Sequence, residues 1–127
     1  MSYKAWNTIN DFVTMPDATD GTDSKPFSAP KDVKAMRVHI PALVGTATTI
    51  KLQALDPEVG DGEDESWGDV TVFDVADGSF EPIDALPEST VVVLPASITG
   101  GGVFRWVASA AQTGAIDAIT IKVVWLL

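Results

Sequence analysis

The 127-residue chain has no cysteine and a single histidine, His39. The first absence excludes disulfide frameworks, zinc ribbons and thiol nucleophiles, and the second excludes sites built from clustered imidazoles. Basic residues are scarce too: 8 Lys and Arg stand against 18 Asp and Glu, a formal charge of −10. Proteins hold phosphate backbones by displacing counterions with Lys and Arg, and the basic residues here are scattered, so nucleic acid is not an expected partner. No apolar run approaches a membrane span and the first residues lack the apolar stretch of a signal peptide, so the expectation is a soluble product made in the cytoplasm, with no membrane partner.

What is present is apolar enough to fold. The chain is 46% hydrophobic, with 10 Gly and 8 Pro that interrupt it too often for long helices. A chain of this length can bury about two-thirds of its unfolded surface, which suffices for one core without a staple. Short alternating runs carry that apolar content. In 33–40, Met36, Val38 and Ile40 share one face while Ala35, Arg37 and His39 share the other; 48–55 repeats the pattern with Ile50, Leu52 and Ala54 against Thr49, Lys51 and Gln53. Further runs lie at 70–75, 90–94, 103–108 and 118–126, the last placing Ile119, Ile121, Val123 and Trp125 on one face. Period-two alternation with one apolar side is the mark of a half-buried strand. Asp77-Gly78 is a hairpin dipeptide. Seven or eight such strands with regular turns make an all-β sandwich or barrel.

The first 32 residues read differently. Residues 14–32 are mostly turn formers, with three prolines and no period. Ahead of them Trp6, Ile9, Phe12 and Val13 have roughly helical spacing, too short to stand alone as a helix. The expectation is an extended N-terminal arm over 1–32 and a sandwich domain over 33–127, which would remain folded without the arm. Trp6, Ile9, Phe12 and Phe27 are then interface candidates, because a free tail gains nothing from such side chains.

Catalytic signals are weak. His39 lies on the polar side of a strand with no triad to serve, and no catalytic residue, cofactor or metal site is assigned. The densest charge run holds Asp56, Glu58, Asp61, Glu63, Asp64 and Glu65. It lacks the spacing and the sixth-position glycine of an EF-hand loop, and reads as a solvated turn. Trp106 and Trp125 sit within apolar runs and read as core. Trp67 follows the acidic run, where it either plugs one end of the sandwich or faces a partner, and it joins the interface candidates.

Several stretches together carry a resemblance. Residues 50–56, with Gln53 and Asp56, lead through the acidic turn to Trp67 and Asp69; Asp77-Gly78, the valine run 90–96 and residues 104–112, with Arg105 and Ser109, follow. This order resembles the virion β-sandwich proteins of tailed bacteriophages, over residues 33–127. Small size, acidity and a leading arm are most similar to head decoration, or cement, proteins. That resemblance implies a non-enzymatic jelly-roll β-sandwich, a homotrimer, seated on the major capsid protein at the capsid surface of the virion. A tail or fibre component and a carbohydrate- or receptor-binding module are the alternative readings.

Overall fold

The computed structural model describes residues 7–17, 21–55, 67–83, 85–95, 102–112 and 118–127. Trp6 and the acidic run from Asp56 to Glu65 lie outside them. The described strands are β1 (Thr8–Met15), β2 (Phe27–Ser28), β3 (Ala35–Ile40), β4 (Thr49–Leu55), β5 (Trp67–Asp69), β6 (Thr71–Asp74), β7 (Ser79–Pro82), β8 (Leu86–Pro87), β9 (Thr90–Pro95), β10 (Val103–Ala108) and β11 (Ile119–Leu126).

The protein is all-β, and its strands form two antiparallel sheets packed as a sandwich. One sheet has the order β1-β11-β3-β9; the other has β2-β10-β4-β5, with β8 also paired to β4. β6 and β7 form a separate hairpin, turned at Asp77-Gly78, where Gly78 takes a φ of 68° that glycine adopts without steric cost.

Alternation decides which residues meet between the sheets. Met36, Val38, Ile40, Ile121, Val123 and Trp125 project inward from the first sheet, and Ile50, Leu52, Phe104, Trp106 and Ala108 from the second. An aromatic cluster bridges them. Phe27 stacks on Trp106 with ring centroids 5.6 Å apart and meets Trp125 of the opposite sheet at 6.1 Å. Trp125 donates from Nε1 to the Asp11 carboxylate at 2.6 Å, whereas the buried Trp106 Nε1 has no hydrogen-bond partner among the described residues. Val124 departs from the simple alternation. It lies on the outer face, yet is only 2% exposed, flanked across the strands by Asn10 and Arg37.

Strand pairing on both sheets crosses the expected boundary at residue 32. The extended segment Thr8–Met15 is strand β1: it pairs with β11 over its full length, from Thr8 opposite Leu126 to Met15 opposite Ile119, and buries Val13 and Met15 in the core. The chain then crosses to the other sheet, where Lys25 N donates to Thr14 O at 3.0 Å. Residues 22–29 run along the edge of β10. Ser24 N donates to Trp106 O at 2.8 Å, Trp106 N donates to Ser24 Oγ at 2.9 Å, and Ala108 N donates to Thr22 O at 2.9 Å. The N-terminal segment therefore completes one edge of both sheets. Pro and Asp hide this in the sequence because the segment takes its order from β10 and β11 rather than from its own period.

Gln112 secures the adjoining loop. Fully buried, it accepts from Val44 N at 2.8 Å and donates to Val44 O at 3.0 Å and Ala110 O at 3.3 Å. A buried amide that satisfies both its oxygen and its nitrogen fixes a loop in one arrangement.

Candidate functional site

The outer face of the four-stranded sheet is laid out by register. One cross-strand row runs Phe12, Lys122, His39, Val91, and the next runs Asn10, Val124, Arg37, Val93. Exposed apolar side chains stand on both edge strands, Phe12 at 67% on β1 and Val91 at 57% and Val93 at 60% on β9, with the exposed Asn10 beside Phe12's row on β1. The middle strands carry the cations. Arg37 Nε donates to His39 Nε2 at 3.1 Å, so His39 presents a lone pair to the guanidinium, and Lys122 Nζ lies 6.0 Å from the Phe12 ring centroid. Neither row contains an Asp or Glu, although the whole chain carries −10. With strands about 4.8 Å apart, the apolar edges stand roughly 14 Å from each other with the cations between them. Such a surface suits a broad macromolecular contact with apolar flanks and central carboxylates.

The outer face of the second sheet holds a different arrangement. The Arg105 guanidinium lies 4.4 Å from the centroid of the Trp67 ring, donates from Nε to Gln53 Oε1 at 2.8 Å and pairs with Asp23 at 3.1 Å. Gln53 Nε2 donates onward to Asp69 at 2.9 Å, and Lys51 pairs with Asp69 at 3.1 Å. The network spends every one of these charges on a neighbour, which fits bracing of the sheet surface.

The Gln53 hydrogen bond first, and the Lys51 ammonium second, hold the Asp69 carboxyl below its ordinary value of 3.8. A carboxyl depressed in the folded state adds stability that is complete above the ordinary value and disappears as pH falls through the folded one. The Asp69 side chain is 44% exposed, so solvent screens the contribution and keeps it small. Melting temperature against pH is therefore expected to run slightly higher for the natural chain than for Asp69→Asn at neutral pH, with the two curves converging in acid. A constant offset at every pH would remove this role for the carboxylate.

The interface candidates from the sequence do not form one patch. Phe12 is exposed on β1, and Ile9, 42% exposed, shares that strand but points with the inward register of Val13. Phe27, at 8% exposure and stacked on Trp106, lies in the core and not on the surface. Trp67 is half-buried on the other sheet beneath Arg105, and Trp6 lies outside the described residues. Val91, Val93 and Arg37 also stand on this face, and the sequence alone singled out none of them for an interface. The available signal was the uncharged valine run of β9, whose alternate members must point away from the core.

These observations define the chain as a two-sheet antiparallel β-sandwich with one cationic, apolar outer face and one self-neutralised face. Among the described residues no group of three or more His, Cys, Asp and Glu is placed to hold a metal ion, and no helix is long and apolar enough to cross a membrane. The crystal structure of the SPBc2 prophage-derived protein YomS has a similar fold, with a TM-score of 0.58 and 15% identity over 100% of this chain and 99% of that one. At that identity the likeness is one of fold. No family model matches the chain, and no curated protein does.

Proposed function

We propose that this chain is a non-enzymatic structural protein of a tailed-phage virion, a head decoration protein that attaches to the major capsid protein through the outer face of the β1-β11-β3-β9 sheet. The observation that carries the reading is that face: Phe12, Val91 and Val93 exposed around Arg37, His39 and Lys122, without a carboxylate, on a chain of −10. Two further observations support it. The whole-chain likeness is to a prophage-derived protein, and the chain crosses from one sheet to the other between β1 and β2, β2 and β3, β3 and β4, β8 and β9, β9 and β10, and β10 and β11, which supports a jelly-roll reading of the sandwich. A cement protein gains from apolar contact at about 25 cal/mol per Å² removed from water, before association costs, and from complementary charge that fixes orientation.

Co-sedimentation with phage heads assembled without the protein tests the reading. The natural protein is expected to pellet with heads, and the double variant Arg37→Glu, Lys122→Glu to lose about tenfold or more in affinity with an unchanged melting curve. Undiminished attachment of the double variant would move the contact to another surface. Binding to purified tails instead of heads would replace decoration with a tail role.

A further inference from the structure

We infer that β9 is a self-association strand, at which a second copy of this chain adds antiparallel across a two-fold axis near Val92 to continue the four-stranded sheet into one of eight strands. An edge strand presents a row of unpaired N–H and C=O groups, and soluble proteins blunt such rows with charge, proline, shortness or cover. In the two packed sheets, β1, the segment beside β10 and β5 are blunted in these ways. β1 carries the inward-pointing Asp11, and its Thr14 carbonyl is taken by Lys25 N. Residues 25–31 beside β10 include Lys25, Pro26, Pro30 and Lys31, and β5 spans three residues, including Gly68 and Asp69.

β9 has none of these devices before its last residue. It reads Thr-Val-Val-Val-Leu-Pro over Thr90–Pro95, has no charge, and pairs with β3 alone among the described elements. Val91 and Val93 stand exposed on it.

Charge selects the occupant. Two chains of −10 repel wherever their acidic surfaces meet, whereas β9 against β9 sets no charged residue opposite another. A register centred on Val92 places Val91 beside Val93 of the second copy, twice over, and β-branched cross-strand pairs of this kind stabilise antiparallel ladders. The nearest cations, the Arg37 guanidinium groups, each lie one strand in from the edge on β3. Those of the two copies stand roughly 14 Å apart, beyond the screening length at physiological salt. Pairing of this type is isologous and closes at two copies, in place of the trimer that the resemblance implies. A single six-residue edge gives a small interface, so the dissociation constant is expected on the order of micromolar.

Sedimentation equilibrium of the full chain, from micromolar to near-millimolar concentration, reads the result directly. The natural chain is expected to pass from one copy to two. Val93→Lys and Val91→Lys, each placing a charge on the exposed side of the edge, are expected to stay monomeric with cooperative melting curves, and Phe12→Ser on the far edge to dimerise as the natural chain does. If Val93→Lys fails to fold, Val91→Lys decides. A natural chain that remains monomeric throughout would overturn the inference, as would a trimer, or a dimer that both lysine variants retain. Head binding is measured separately through Arg37 and Lys122, so failure of the pairing leaves the attachment reading standing, and the reverse also holds.

Discussion

A chain beginning at residue 33 is expected not to fold. Removing the first 32 residues strips β1 from β11 along eight paired positions and takes Ser24 and Phe27 away from Trp106. The apolar loss alone covers Val13, Met15 and Phe27, all buried. At about 1.5–3 kcal/mol for each such side chain the deficit is roughly 5–9 kcal/mol, comparable with the entire net stability of a typical domain. Two long open edges would also be exposed, inviting aggregation. Circular dichroism should show no cooperative thermal transition for residues 33–127. Adding a peptide of residues 7–29 in excess should restore one, because the ladder and the core contacts it supplies are non-covalent. A cooperative melt of the truncated chain by itself would return the N-terminal segment to the status of an arm.

The second large effect is expected at Trp106. Its indole is fully buried between Phe27 and the interior of its own sheet, so Trp106→Ala should cost about 3–5 kcal/mol, as truncation of a large buried aromatic does. Trp106→Phe should cost much less than its size change suggests. The Nε1 hydrogen has no partner among the described residues, and removing an unsatisfied buried donor recovers part of the desolvation penalty. Trp125 supplies the control. Its Nε1 is bonded to Asp11 at 2.6 Å, so Trp125→Phe leaves a partly buried carboxylate without its donor and should be the more damaging of the two Phe variants. Urea unfolding of the three variants gives the order directly, and equal losses for the two Phe substitutions would contradict this assignment of the indole nitrogens.

The sequence makes some of these features legible and hides others for identifiable reasons. β3, β4, β10 and β11 announce themselves because each has one apolar face and one polar face, as at Met36, Val38 and Ile40 against Arg37 and His39. β1 does not, since Asp11 falls in the inward register where an apolar residue is expected, and its reason for being there is an indole at the far end of the chain. Phe27 stands between Pro26 and Ser28 with no period around it, and its burial follows from pairing with Phe104. Strand pairing crosses the separation into arm and domain that composition suggests: long-range pairing, not local composition, orders residues 8–15 and 22–29. On the surface, the cations at Arg37 and Lys122 are readable as outward-facing. Their gathering with Phe12, Val91 and Val93 depends on the sheet order, which no local pattern specifies. The link from Arg105 through Gln53 to Asp69 is likewise a product of register.

The pairing of the first strand with the last sets a clock for synthesis. β1 leaves the ribosome early, but β11, its partner at every position from Thr8 to Met15, is made nearly a whole chain later. At translation speeds of about 5–20 residues per second the delay is roughly 5–20 s, far longer than the microseconds in which an isolated hairpin closes. Within that interval β3 waits for β9 until residue 95 is made and for β11 until residue 126. High contact order of this kind makes completion of the first sheet a late event and slows folding. Nascent chains halted before residue 119 should therefore remain protease-sensitive throughout β1, and release of the finished chain should protect β1, β3 and β11 together.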